Sequence, residues 1–221
     1  MKIFLTILIL SLVIIIHEFG HYITSIYFKA KVLEFSIGMG PKIFGYKKFS
    51  IRLLPLGGYV KLDEESLESI ERYKQIIIMF AGIFMNILLA YIVLIYFTKL
   101  NIFKALVELV FIISKILSAF LHISLKDLSG PVGIYSAVGR ATNILGVFRG
   151  SLYLVLLISI NLAIVNLLPI PGLDGSRIYL NLLKMLGLKI SKKIEERIYV
   201  AGFLILVFLT IFVLVQDISR L

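Results

Sequence analysis

The sequence predicts an all-α polytopic membrane protein. It has about four transmembrane helices, a small membrane-associated β-hairpin or sheet between helices 1 and 2, and an amphipathic interfacial helix between helices 2 and 3. Three observations carry this prediction. Of 221 residues, 60% are hydrophobic and the mean hydropathy is +1.02, against roughly 45–50% hydrophobic in soluble domains. Residues 76–98, 150–171 and 198–216 contain no charged side chain, and each is close to the ~20 residues needed to cross a ~30 Å hydrocarbon core. A fourth apolar run, residues 3–28, is interrupted only by His17, Glu18 and His21.

The first run imitates a secretory signal peptide, since Lys2 and the stretch Ile3 to Ile16 resemble its basic and apolar regions. No small-x-small cleavage site follows, so the run is read as a retained span. Next comes "VLEFSIGMGPKIFGYKKFSIRLLPLGGYVKL", residues 32–62. Its short β-branched and aromatic runs, broken by Gly38, Gly40, Pro41, Gly45, Pro55, Gly57 and Gly58, read as strand and turn. Lipid does not accept open sheet edges, so this apolar hairpin packs on the helices or lines a wet cavity. "DEESLESIERYK", residues 63–74, reads as an exposed acidic helix start capped by Ser66, Ser69 and Glu71, leading into the second span.

Residues 102–125 are apolar enough to suggest a fifth span, which would invert the topology of everything after it. However, Lys104, Glu108, Lys115, Ser118 and His122 recur at three, four or seven residues and mark one polar stripe, as in a helix lying at the interface. The third span ends in "NLLPIPGLDGSRI", where Pro169 and Pro171 stop the helix and Gly172 and Gly175 allow a tight turn carrying Asp174. With no repeat, low-complexity tract or Gly/Ser linker, residues 1–221 read as a single domain.

The net charge of +10 reflects topology and anionic lipid contact rather than nucleic acid. Lys and Arg number nine in residues 29–75, six in 98–150 and six in 172–198. The first and third segments are the richer per residue and lie on one side of a four-span chain. The positive-inside rule then puts them in the cytoplasm and both termini opposite. With no cysteine, any metal is held by nitrogen and oxygen.

His17 and His21 are four residues apart, so a helix projects both from one face, one turn apart. With Glu18 between them, "HEFGH" is the H-E-x-x-H arrangement, two zinc ligands and a general base. Ionisable groups at membrane depth cost roughly 2.5–3.5 kcal/mol each on insertion scales, and a metal compensates that cost. Catalytic zinc takes three protein ligands and keeps one position open. His122 lies on the polar stripe and faces water. Among the thirteen carboxylates, Asp174 adjoins an apolar span in an unusual setting. Spans one and three run the same way through the membrane, so His17, His21 and Asp174 lie at matching depth and can meet near the cytoplasmic face.

HEFGH in a first span, with "NLLPIPGLDG" ending a later one, resembles the site-2 protease family of intramembrane zinc metalloproteases, peptidase family M50. Further similarity lies in residues 35–62, in "AGIFMN" at 81–86 with Ile83 where proline is usual, in "LSGPVGI" at 128–134, and in "SINLAIVNLLPIPGLDG". The resemblance implies His17, His21 and Asp174 as ligands of one Zn2+ per chain and Glu18 as catalytic base. It also implies that Asn161 and Asn166 hold an unwound substrate segment; from the residues alone, these two and Asn86 read equally as helix–helix hydrogen bonding. The implied substrate is a single-span membrane protein, cut within or near its span for signalling or for clearing a signal-peptide remnant, at the cytoplasmic side of a cell membrane. An inhibitory or activating membrane partner is left open. Only about fifty residues separate spans two and three, too few for the PDZ domain of many members, and no CBS domain follows. The expectation is therefore a minimal form. Two rival readings remain beside it, a small transporter or channel and a catalytically inactive homologue that binds membrane proteins. A di-iron desaturase needs more than three histidines.

Overall fold

A computed structural model describes residues 2–120, 122 and 131–219. The elements are α1 (Lys2–Tyr27), β1 (Val32–Tyr46), β2 (Phe49–Leu62), α2 (Glu64–Ser69), α3 (Arg72–Phe97), α4 (Ile102–Phe120), α5 (Pro131–Leu145), α6 (Val147–Leu167), α7 (Asp174–Met185) and α8 (Lys192–Ser219). Four of the helices are long and apolar enough to cross a membrane: α1, α3, α6 and the Lys192–Asp217 part of α8.

The bundle core lies where α1, α3 and α6 meet. Ile9 and Val13 of α1 pack with Ala90 and Val93 of α3 and with Leu156 and Ile160 of α6, all buried. Lipid gives no hydrophobic drive between helices, so close backbone approach at small residues matters more. Gly20 provides it: a Cβ there would lie 2.4 Å from the Ala81 carbonyl oxygen. This brings the second half of α1 against the first half of α3.

The hairpin turns through Lys47 and Lys48, and its glycines bend the strands instead of ending them. Residues 32–37 of β1 pair with 58–62 of β2, and residues 35–37 also with 49–51, so two long strands curl into a layered sheet. Gly38, Gly40 and Gly57 take positive φ at the bends. Gly57 and Gly58 lie against Ile14 and Ile15, and the Ser11 hydroxyl donates to the Pro55 carbonyl at 2.5 Å. β2 is thereby laid along α1 beside the H-E-x-x-H turn. Tyr22, Phe35 and Phe49 pack with ring centroids 5.3–5.6 Å apart and hold the sheet to α1.

Glu34 ties the layers of the sheet together. It accepts from Ser50 Oγ at 2.5 Å, from Tyr59 at 2.8 Å and from Arg52 at 2.9 and 3.0 Å. The Ser50 hydroxyl first, then Tyr59 and Arg52, hold its carboxyl at about 2, below the ordinary 4.5. A depressed carboxylate stabilises the fold above its unfolded pKa and loses that contribution as pH falls through the folded one. Wild type should therefore melt roughly 2–4 °C above Glu34→Gln at pH 7. The gap should close between pH 4.5 and 2; a gap unchanged over that window in thermal melts refutes the assignment.

Several expectations are corrected. The α2 cap is Asp63, whose carboxylate accepts from the Ser66 N–H at 3.0 Å, rather than Ser66 or Ser69, and Glu71 precedes α3 without a side-chain cap bond. The third span stops at Leu167, before the prolines, and Asp174 opens α7 instead of riding on the turn. Residues 131–145 form a helix, α5, that the sequence reading did not anticipate; it packs on α6 and α1. Within the expected 102–125 helix, α4 ends at Phe120, and it packs Ala105 and Leu109 into the bundle core. Residues 123–125 and the 128–130 part of "LSGPVGI" lie outside the described residues.

Candidate metal centre

α1 presents His17 and His21 from one face, and α7 brings Asp174 to them at its first turn. Their ligand atoms lie within 4.8 Å of one another. Asp174 Oδ2 is 2.9 Å from His17 Nε2 and 3.2 Å from His21 Nε2, and the two Nε2 atoms are 3.1 Å apart. A tetrahedral zinc with ligand bonds of about 2.0–2.1 Å spaces its donors by roughly 3.3 Å. The cluster sits a few tenths of an ångström inside that spacing. Both imidazoles are buried, at 4% and 6% exposure.

The second nitrogen of each ring decides what Nε2 presents. His21 Nδ1 lies 2.8 Å from the Ile78 carbonyl oxygen, which can only accept, so the proton is on Nδ1 and the Nε2 lone pair faces the cluster. His17 Nδ1 lies 3.2 Å from the Asn86 carboxamide, which is fully buried, and Asn86 Oδ1 otherwise has no partner. Turning that amide end for end lets Oδ1 accept from His17 Nδ1–H and frees a second Nε2 lone pair. Two lone pairs and a carboxylate then converge, an arrangement that a cation stabilises. These donors fit zinc.

Gly82 keeps the seat clear. A Cβ on it would lie 2.4 Å from His21 Nε2 and 2.7 Å from His17 Nε2, close to where a metal bound to both would sit. Gly82→Ala should therefore lower zinc affinity by at least about the 10–100-fold that disturbing a metal's surroundings causes, with helix content unchanged. Metal analysis beside circular dichroism checks it, and full zinc retention would contradict it.

Glu18, next to His17, is half-buried and its Oε2 accepts from the Val60 N–H at 2.8 Å, so β2 positions it. Glu18, His21 and Asp174 line a cavity of about 310 Å³ with Tyr59, Val60 and Leu173. The remaining expected residues are elsewhere. Asn161 is exposed and donates to the Leu157 carbonyl at 2.8 Å, one turn back along α6. Asn166 is half-buried near the end of α6, and neither lines this cavity. His122 is exposed, against the Ser118 carbonyl, away from the cluster.

Asn86 and Gly82 are the residues that sequence reasoning underrated. Asn86 read as helix–helix bonding and Gly82 only as part of "AGIFMN". One signal was available: Gly82 and Asn86 are four apart, the spacing of His17 and His21, so α3 offers one face to the α1 histidine face.

The chain is 29% identical over 339 aligned positions to a protein named "Putative zinc metalloprotease" from Fusobacterium nucleatum, covering all of this chain and 99% of the relative. It is 27% identical over 332 positions to one so named from Clostridium perfringens, covering 99% of this chain and 98% of the relative. Both alignments exceed 221 residues, so these relatives carry residues where this chain has none. A third, from Thermotoga maritima, is 52% identical over 68 residues, 29% of this chain and 14% of the relative. The family described as Peptidase family M50 matches residues 5–209, a span that holds α3 and α6, most of α1 and α8, and the whole His17, His21 and Asp174 cluster; this multi-pass membrane protein belongs to peptidase family M50.

Proposed function

We propose that the protein is a zinc-dependent intramembrane endopeptidase of the site-2 type, in which His17, His21 and Asp174 hold one zinc ion and Glu18 is the general base. The observation that carries this reading is the convergence of two Nε2 atoms and a carboxylate oxygen from helices 157 residues apart in the chain. The names of the relatives support the choice of zinc.

Bound zinc supplies a Lewis acid that polarises a peptide carbonyl and makes water nucleophilic near neutral pH. Glu18 takes the proton from that water and later delivers it to the leaving nitrogen. Val60 holds the carboxylate by one oxygen, and the second is available for the proton. With its amide turned, Asn86 would hold His17, as the Ile78 carbonyl holds His21, in the tautomer that presents Nε2 to the metal.

The substrate is a single-span membrane protein. Its scissile carbonyl is hidden while the span is helical, so the segment enters extended. Tyr59, Val60 and Leu62 of β2 border the cavity, and with the Val60 N–H committed to Glu18 the neighbouring backbone groups of the strand are the ones open to a peptide. A strand edge of this kind pairs with an extended peptide by strand addition. Asn161 and Asn166 would meet backbone groups released as the substrate unwinds. Residues 1–221 act as one catalytic unit in the cell membrane. The metal lies toward the cytoplasmic side, the side of the basic segments 29–75 and 172–198, and α4 rests at the interface.

The test is cleavage of single-span fusion substrates by the purified protein in detergent. A chelator should stop cleavage as zinc is removed, and zinc should restore it where magnesium does not. Cleavage by metal-free protein would end this reading. Zinc bound at one per chain with no substrate cut would favour the catalytically inactive homologue.

A further inference from the structure

A second cavity, about 1010 Å³, adjoins the one at the metal cluster. Its walls come from α2, the starts of α3 and α8, α7 and the α7–α8 turn, and it shares Glu64, Met79, Arg177 and Tyr199 with the smaller cavity. These four side chains, one each from α2, α3, α7 and α8, form the partition between the two. Arg177 is three residues past Asp174 and so shares its helix face. Its guanidinium donates to both oxygens of Glu64, at 2.6 and 3.0 Å, and lies over the Tyr199 ring at 5.5 Å.

The large cavity is charged, with five cations and four carboxylates among its lining residues. Three pairs account for most of them: Arg177 with Glu64, Lys184 with Glu195 and Lys192 with Glu68. Among the described residues, Arg72 and Lys189 then remain without a carboxylate at ion-pair distance, against one carboxylate, Glu196, without a cation, so the uncompensated charge is positive. The partition pair is also easily exchanged. The Glu64 side chain is 62% exposed against 32% for Arg177, so the carboxylate can turn out into water while the guanidinium stays in the partition. The guanidinium fork accepts any carboxylate that reaches it, with the same two-point geometry.

We infer that the large cavity is a substrate subsite for an acidic peptide segment flanking the scissile bond, anchored by Arg177, which exchanges Glu64 for a carboxylate of the substrate. The word substrate rests on the peptidase reading above; the binding site does not. The size of the cavity, at the upper end of the roughly 300–1,000 Å³ of ligand sites, suits a segment of chain better than a few waters. Because Arg177 stands in the partition, a peptide anchored on it lies against the metal-site cavity as well.

The test uses the full chain with Glu18→Gln in detergent micelles, so that nothing is cut. A fluorescent aspartate-rich peptide is compared by anisotropy with its counterpart carrying lysine at the same positions. The aspartate peptide should bind about tenfold more tightly, the scale of one charge-assisted contact. Arg177→Gln should abolish the preference, and Glu64→Gln, which frees Arg177, should strengthen it. Neutralising Lys47 and Lys48 at the hairpin tip should leave it intact. Equal affinities overturn the inference, as does a preference that survives Arg177→Gln or vanishes with the hairpin lysines. Should Arg177→Gln fail to fold, Glu64→Gln decides, and unchanged or weaker aspartate-peptide binding refutes the anchor. Cleavage assays judge the other reading separately. Selective peptide binding with no substrate ever cut would keep the subsite and remove the protease; cleavage without peptide preference would do the reverse.

Discussion

Glu18→Gln should retain one zinc per chain and lose cleavage by about 10²–10⁴-fold, the usual contribution of general acid–base catalysis. Glutamine has the length of glutamate, and its carbonyl oxygen can still accept the Val60 N–H that now engages Glu18 Oε2 at 2.8 Å. The side chain would keep its place and lose only its capacity to take a proton. Glu18 also stands outside the cluster of His17, His21 and Asp174, so the metal donors are untouched. Initial rates on a single-span fusion substrate, with zinc measured in the same preparation, check both halves. Cleavage within a few-fold of wild type removes Glu18 from the role of base. Loss of zinc instead makes it a metal ligand.

Asp174→Ala should abolish stable zinc binding, with an affinity loss beyond the roughly 10–100-fold typical of residues that only support ligands, and cleavage should fall below detection. The variant leaves two imidazole nitrogens 3.1 Å apart and removes the one negative charge between them. Two neutral donors do not make the three-ligand set of catalytic zinc. The fold should persist, because Asp174 is the first residue of α7, and that helix is held by Ile178 and Leu180, which are buried further along it. Zinc competition with a chelator of known affinity, beside circular dichroism, reads the effect. Near-wild-type affinity would mean that the third ligand is another residue.

The spans were legible because lipid simplifies the problem: a backbone without water must be helical, and length with hydropathy then locates each crossing. The four apolar helices begin and end within a few residues of the runs read from sequence, and the largest difference is at the start of α8, which begins at Lys192 rather than at 198. The two histidines and Glu18 were legible for a similarly local reason, since the four-residue spacing decides which side chains share a face. Asp174 was picked out by its place at the end of an apolar span and by topology, the matching depth of two spans running in the same direction, and its role as a ligand came from the family resemblance. α5 was missed because residues 131–145 are short and mixed in polarity, so neither the hydropathy rule nor a clean amphipathic period marks them.

What the sequence determined by itself is therefore the number of spans, the hairpin, and the chemical type of the cluster, two imidazoles and a carboxylate with a neighbouring glutamate. Each follows from composition or from spacing within one segment. Only the tertiary structure decided how those groups are held and reached. It laid Val60 of β2 on Glu18, placed the Asn86 amide on His17, and pressed Gly82 to within a methyl group of both imidazoles. It also set Arg177 between two cavities. These are contacts between segments 42 to 113 residues apart, and helix crossing and sheet curvature set such distances, which no local periodicity in the chain records.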